Sequence, residues 1–327
     1  MTRQMQVTRQ TTQPAAKRMT LGAVTRGPIQ KPLRVVLYGV EGVGKTTFGS
    51  DAPEPIFLCA EDGTAHLDVA RFPEPQCWQD ALDAIDALLT EDHNFKTLVV
   101  DTADWLERLC WDHVCKKAGK TDIEAFGYGK GYVAALQEWR VLTSRLDALR
   151  DKRGMHIIIL AHAHVKTQKG VLEGQDDFDR FELKMHKAAA GYLKEWADVV
   201  LFAQWEEYTR EIKGRARGIS TGARVIFTER RAAYDAKNRF GLPHQLPLSW
   251  QDFWEAVKAG TPASPDTLRA EVLALAKDLG GEELATVEKW LATNPDPRKL
   301  AQGADRLRVK VEAKKAHDNQ IENGVTQ

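Results

Sequence analysis

Gly39-Val40-Glu41-Gly42-Val43-Gly44-Lys45-Thr46 is a complete G-x-x-x-x-G-K-T phosphate loop, and its reading decides the fold. The run before it, Leu33-Arg34-Val35-Val36-Leu37-Tyr38, is short, apolar and rich in strand formers. Thr47, Phe48 and Gly49 after it suit a helix start. Strand, glycine-rich turn and helix N-terminus form the context in which this motif holds phosphate. Gly39 and Gly44 let the backbone curl, so that successive N–H groups from Val40 through Thr47 line an anion nest. Lys45 would reach the β- and γ-phosphates, and the Thr46 hydroxyl would hold Mg²⁺. The motif implies a bound nucleoside triphosphate.

Length and composition set the frame around it. The chain has 327 residues, 43% of them hydrophobic, enough for one large domain and a smaller appendage. Lys plus Arg and Asp plus Glu both number 46, so no global basic field advertises a polyanion partner. The balance is uneven locally. The first 40 residues hold Arg3, Arg9, Lys17, Arg18, Arg26, Lys31 and Arg34 and no acid. That Gln/Thr-rich stretch lacks apolar periodicity and reads as a disordered basic tail over 1–30. No window approaches a membrane span and no signal-peptide core is visible, so the expectation is a soluble, cytoplasmic protein without a membrane partner. Four cysteines suit a reducing compartment. Cys110, His113 and Cys115 do not share a helix face and have no fourth ligand at finger spacing, so they read as core thiols rather than a metal site.

After the phosphate loop, strand-like and helix-like patterns alternate. Pro55–Cys59, Thr97–Asp101, Met155–Ala161 and Asp198–Ala203 are short apolar runs. Trp78–Thr90, Trp105–Lys117 and Val133–Arg150 have helical spacing, the last two split by the Gly-rich stretch Gly119–Gly131. Continuous apolar runs mark strands covered on both faces, which is a parallel sheet between helices. Gly222–Tyr234 suggests antiparallel strands at one edge. Gly260-Thr261-Pro262-Ala263-Ser264-Pro265 reads as a linker. Three short amphipathic helices follow, over 268–279, 282–291 and 298–314. The expected organisation is an α/β core over 31–260, a helical region over 261–316 and a disordered end over 317–327.

Hydrolysis needs a carboxylate in the metal shell and a group that orients water. Asp101 closes an apolar strand, which suits a metal carboxylate; as a strand-end acid it could equally cap the next helix. Glu61 follows the strand after the phosphate loop, at the sheet edge where ligands bind, and could orient the attacking water or simply sit in a turn closed by Gly63. His162 and His164 leave a strand at the same edge, where a neutral imidazole could sense the γ-phosphate.

The order of these motifs resembles the RecA-type ATPase core. Phe57-Leu58-Cys59-Ala60-Glu61 looks like the strand bearing that family's catalytic glutamate, and Leu98-Val99-Val100-Asp101-Thr102 like its Walker B strand. Ile159–Lys166 occupies the place of the strand whose polar residue couples the γ-phosphate to DNA, with His162 where RecA carries glutamine. Ala236-Lys237-Asn238-Arg239-Phe240-Gly241-Leu242-Pro243 is similar to the Lys-x-Lys segment that reaches a neighbouring subunit's ATP, with Arg239 in place of the second lysine. Lys237 and Arg239 also read as a solvated basic turn. More narrowly, the Ala-Glu-Asp-Gly turn and the Lys-x-Arg ending look like the RecA-like single-strand annealing proteins of phages and prophages, over about residues 31 to 257.

The resemblance implies ATP and Mg²⁺ as ligands, catalytic roles for Lys45, Asp101, Glu61 and His162, and single-stranded DNA as partner. Three segments are candidates to touch that DNA. Gly119–Tyr132 carries Lys120, Tyr128 and Lys130 among four glycines, and Val165–Lys187 carries Lys166, Lys169, Arg180, Phe181 and Lys184 but also five acids. A hairpin-like stretch from Arg210 to Arg224 carries Lys213, Arg215 and Arg217. Basic groups would follow phosphates and aromatics would stack on bases. The expected function is an ATP-dependent, single-strand-binding recombination or annealing protein acting as a ring or filament of its own copies, with the C-terminal helices free to recruit single-strand-binding protein. A RecA-fold helicase or motor, and a nucleotide-gated adaptor with negligible turnover, are the alternatives.

Overall fold

The computed structural model describes residues 19–24, 29–61, 63–169, 176–212, 215–260, 265–293, 295, 299–300, 302–304, 306–311 and 314. The chain divides into two compact units, Lys31–Pro262 and a smaller one of Met1–Gln30 with Ala263–Gln327.

In the larger unit the strands are β1 (Arg34–Gly39), β2 (Pro55–Cys59), β3 (Ala70–Arg71), β4 (Thr97–Asp101), β5 (His156–Gln168), β6 (Phe178–Leu183), β7 (Val199–Ile212), β8 (Arg215–Phe227) and β9 (Gln245–Pro247). The helices are α1 (Lys45–Ser50), α2 (Trp78–Thr90), α3 (Ala103–Ala118), α4 (Lys130–Ala148), α5 (Lys187–Trp196) and α6 (Trp250–Gly260). The sheet order is β3-β2-β4-β5-β1-β7-β8-β9, with β6 paired to β5. Strands β3 through β7 along that order are parallel; β8 and β9 continue the sheet antiparallel, and β6 is antiparallel to β5.

Alternation along each strand divides the core into two layers. Val36 and Tyr38 of β1, Leu98 and Val100 of β4, and Ile157 and Ile159 of β5 face a cluster filled by Trp78, Leu106, Trp139 and Leu193 from α2 to α5. Val35 and Leu37, Val99, and Ile158 and Leu160 face the other side, where Phe48 of α1 meets Trp250 and Phe253 of α6 at ring separations of 5.6 and 5.9 Å. Both faces are buried, which is why these strands read as unbroken apolar runs. This is a mostly parallel α/β P-loop core with antiparallel edge strands.

Two elements depart from the sequence reading. The run expected to end at Ala161 continues as β5 to Gln168, and the segment expected as a loop over Val165–Lys187 contributes strand at 165–168 and 178–183: β5 pairs with β6 from Ala163↔Leu183 to Gln168↔Phe178. Polar His164, Lys166, Thr167 and Gln168 hid this, because this end of β5 lies beyond the covered part of the sheet and is not doubly buried.

In the smaller unit, α7 (Pro265–Leu279) and α8 (Gly281–Leu291) bury Val272, Ala276 and Val287 with Ala304 and Leu307. Among the described residues no helix is long and apolar enough to cross a membrane.

Candidate nucleotide-binding site

Register brings the candidate residues to one edge. Gly39 stands beside His162 in the pairing of β1 with β5, and beside Ala203 in that of β1 with β7. A Cβ on Gly39 would lie 2.1 Å from the Ala203 carbonyl oxygen, so only glycine fits there. Strands β2 and β4 place Cys59 beside Asp101, and the Ala60 N–H donates to the Asp101 carbonyl at 2.7 Å. Glu61 therefore leaves the sheet next to Asp101, at the carboxyl ends of the parallel strands where open α/β sheets bind ligands.

The phosphate loop turns through Gly42 and Gly44 at φ of +72° and +104°, left-handed values that favour glycine. Val43 is buried beneath the loop, while Glu41, Gly42 and Thr47 are exposed. Lys45 is 6% exposed, and its ammonium donates to the Val40 and Gly39 carbonyls at 2.9 and 3.2 Å. Burial lowers its pKa, against the pull of Asp101, Asp104, Glu61 and Glu41. Glu41 faces Lys184 across 3.7 Å.

The Thr46 hydroxyl donates to the Asp101 carboxylate at 2.8 Å. Asp101 is buried, and burial pushes its pKa up against the Thr46 hydrogen bond and the Lys45 charge. The Asp101–Thr102 peptide bond is cis. A hydroxyl and a carboxylate in contact beside an anion nest suit a magnesium ion, which takes its other ligands from water and phosphate. Among the described residues no three His, Cys, Asp or Glu side chains gather into a metal cage of their own. Cys110 and Cys115 are buried free thiols, and His113 lies 3.6 Å from Glu138.

His162 is held by a residue the sequence reading passed over. Asp104, in the first turn of α3, accepts the His162 backbone N–H and the ring Nδ1–H, each at 3.0 Å. A carboxylate only accepts, so Nδ1 carries the proton and Nε2 faces Glu61 at 3.9 Å. Burial works against ionisation of Asp104, but the hydrogen bonds from the His162 ring and backbone outweigh it and keep this carboxyl below its usual range. Burial raises the Glu61 pKa, and His162 opposes that rise. The signal for Asp104 was its spacing of three from Asp101, which places it at the same strand end, but an acid there reads first as a helix-start residue.

Lys45, Thr46, Asp101, Glu61 and His162 thus share one cavity of about 300 Å³ with Gly42, Gly44, Thr47, Gly63, His66 and Arg224. His66 and Arg224 carry no motif and were not anticipated. An adjoining cleft of about 790 Å³ shares Glu61, Gly63 and His162 and opens past Glu74, Trp105, Arg108 and Lys184.

The remaining candidates lie elsewhere. Lys237 is not a free basic finger: its ammonium donates to the carbonyls of Lys194, Glu195 and Ala197 at 3.0, 3.0 and 2.7 Å, closing the C-terminal end of α5. Lys237 pairs with Val200 at the start of β7, the sheet end opposite the phosphate loop. Arg239 is more than half exposed and lies 3.6 Å from Asp198. Arg180 is corrected as a DNA contact: it is buried and paired with Asp235, which Lys194 also reaches. Phe181 packs against Phe202 in a tilted contact at 5.0 Å, rather than standing free. Lys120, Lys130, Lys169 and Tyr128 are exposed, and Lys166 lies 3.7 Å from Glu182. Arg215 and Arg217 lie on β8, and Lys213 lies outside the described residues.

A model of the AAA domain family matches residues 31–240, well over half of the chain. No curated protein matches it in sequence. One solved structure with a related outline is described as the crystal structure of the RadB recombinase; it is 15% identical, with 68% of this chain and 90% of that chain covered. Its TM-score of 0.38 is too slight to bear on fold or function.

Proposed function

Because this chain belongs to the AAA domain family, we propose that it hydrolyses ATP with Mg²⁺, and that it does so as an oligomeric, single-strand-binding recombination or annealing protein of the phage type its sequence resembles. The observation that carries the nucleotide half is the convergence of Lys45, Thr46, Asp101, Glu61 and His162 on one cavity behind the phosphate loop.

Each residue has a role that follows from its surroundings. The loop N–H groups and Lys45 bind the polyphosphate, with Lys45 leaving the Gly39 and Val40 carbonyls to do so. Thr46 and Asp101 would hold Mg²⁺, which would supply positive charge against the polyphosphate. Glu61 orients water against the γ-phosphate, and its position at a half-buried strand end keeps that water in a defined place. His162, positioned by Asp104, turns its unprotonated Nε2 toward Glu61, where it accepts a hydrogen bond from the water at the γ-phosphate. Arg239, exposed on the opposite sheet end, remains the candidate for a neighbouring subunit's site, without Lys237.

For DNA, the segment between α3 and α4 is the best supported. Gly127, Tyr128 and Gly129 have φ of +70°, +49° and +69°, and this turn holds the Tyr128 ring fully in solvent beside exposed Lys130. An exposed aromatic beside a lysine suits base stacking with a phosphate contact. Lys166 and Lys169 at the end of β5 form the second candidate group.

The deciding measurement is phosphate release by wild type and Glu61→Gln, with and without single-stranded DNA. DNA-stimulated turnover that is lost in the variant is the expected result. Binding of DNA with turnover near zero in both proteins would move the reading to a nucleotide-gated adaptor. Absence of DNA binding at low salt would remove the recombination reading and leave the ATPase to be judged alone.

A further inference from the structure

The arginine over the phosphate loop belongs to no motif. Arg224 of β8 is the cross-strand partner of Trp205 on β7, the last pair before the ladder shifts register between Trp205 and Glu207. From there its side chain reaches back over the loop. Its Nη1 lies 2.7 Å from where a Cβ on Gly44 would stand, so glycine at 44 makes room for the guanidinium as well as for the turn. Its guanidinium carbon is 5.8 Å from the centre of the half-exposed Trp205 ring, which flanks it. Arg224 lines the same cavity as Lys45 and Thr46.

No acid neutralises it among the described residues, although it stands at the mouth of an anion nest. Arg34, Arg145, Arg150 and Arg180 each pair with an aspartate within 3.3 Å. No carboxylate of the described residues forms an ion pair with Arg224. A guanidinium held at the mouth of an anion nest, steadied by an indole and without an ion-pair partner among the described residues, suits a polyphosphate: its planar fork can donate to two oxygens at once.

We propose that Arg224 clamps the polyphosphate of a bound nucleoside di- or triphosphate from within its own chain. The affinity of one subunit for nucleotide therefore does not depend on a basic group from a second copy, and the Lys237 ammonium is free to serve as a helix-end cap. This rests on the nucleotide-site reading above.

The test measures binding of a fluorescent ADP with Mg²⁺, by anisotropy, to wild type, Arg224→Ala, Arg224→Gln, Arg224→Lys and Lys45→Ala. Both neutral variants should raise Kd about tenfold, the size of one lost charge-assisted contact at an exposed site. Arg224→Lys should fall between, since it keeps charge but not the fork. Arg224 is exposed, so its replacement leaves the core untouched. Adding Lys45→Ala subunits, which keep Arg224 but lack the nest lysine, should not restore affinity to Arg224→Ala. Rescue in that mixture would place the arginine in a neighbour's site and overturn the in-chain assignment. Neutral variants within twofold of wild type, while Lys45→Ala loses binding, would overturn the clamp and leave the site intact. Equal, background-level binding by wild type and Lys45→Ala would instead overturn the nucleotide-site reading, and the clamp with it.

Discussion

Replacing Asp104 by asparagine changes one atom type and should invert the hydrogen bonding at the γ-phosphate. The side chain of Asp104 is 5% exposed, so asparagine must occupy the same space with the same two partners. One oxygen can still accept the His162 backbone N–H at 3.0 Å. The amide NH₂ then faces Nδ1, where wild type has an accepting carboxylate oxygen at 3.0 Å. An NH₂ group only donates, so Nδ1 must accept and the ring proton moves to Nε2, the nitrogen that faces Glu61. The exchange replaces a charge-assisted bond by a neutral one, a loss of about 1–2 kcal/mol in stability. The larger effect is on chemistry: with donor and acceptor exchanged beside Glu61, kcat should fall about 10- to 100-fold, the range for a misplaced proton-handling group.

Phosphate release under saturating ATP, together with the Kd for fluorescent ADP, separates the possibilities. Asp104 stands behind His162 and not in the phosphate loop, so Kd should stay within about twofold while kcat falls. If Asp104→Asn turns over ATP at the wild-type rate, the ring orientation is irrelevant to hydrolysis and the role given to His162 is wrong. If kcat and affinity fall together along with the melting temperature, Asp104 is a structural residue only. His162→Gln in the Asp104→Asn background is a useful second variant, because glutamine can turn either end toward the amide; partial recovery of kcat is expected.

The remaining expectations are simpler. Glu107 is buried, and burial pushes its pKa to about 7 from 4.5, with Asp104 adding to the rise and the His186 N–H opposing it. The folded chain therefore keeps a proton that the unfolded chain has lost above 4.5; stability is full below that value and is lost as pH rises through about 7, by about 3 kcal/mol in all. Glu107→Gln should melt like wild type below pH 5 and clearly above it at pH 8, whereas parallel melting curves would sink the argument. Gly39→Ala should cost about 3 kcal/mol or more, since its Cβ would meet a backbone oxygen at 2.1 Å; Gly49→Ala, facing the Val99 side chain at 2.9 Å, should cost less in the same denaturant titration. Lys237→Met should lower stability by about 1–2 kcal/mol through the three carbonyls it leaves at the end of α5, with turnover per subunit unchanged. Lost turnover at full stability would return Lys237 to a neighbour's site.

How legible each feature was in the sequence follows from how local its cause is. The doubly covered strands announced themselves because both faces of Val35–Tyr38, Leu98–Val100 and Ile157–Leu160 need apolar residues. Asp101 and Glu61 were readable because each ends such a run, and parallel register carries strand ends to one edge. The end of β5 was not readable, since a hairpin outside the helix-covered sheet has the polar pattern of a loop. Arg180 looked like a free cation because its partner, Asp235, lies 55 residues away in sequence. Lys237 looked like a finger because backbone carbonyls, its true partners, have no signature in a side-chain pattern. Arg224 joined the site only through the pairing of β8 with β7, which no spacing from the phosphate loop encodes.

The extension of β5 also changes how nucleotide state could travel. A loop between two strands signals by ordering; the paired strands β5 and β6 cannot, because their ladder hydrogen bonds are already made. His162 is fixed at three points: its ring and N–H on Asp104, and its carbonyl on the Lys184 N–H at 2.9 Å. Lys184 in turn faces Glu41 of the phosphate loop across 3.7 Å. Any displacement of His162 that follows a change at the γ-phosphate is therefore passed to β5 and to the end of β6 together, as a tilt of the hairpin. The ring and backbone share one buried carboxylate, so the two cannot move independently without leaving Asp104 with an unpaired charge, a cost of several kcal/mol. A signal through this route would show as altered amide exchange along both Ala163–Gln168 and Phe178–Leu183 in step. Change confined to residues outside these two strands would mean that the nucleotide signals by some other path, and the Asp104 anchor would then serve hydrolysis alone.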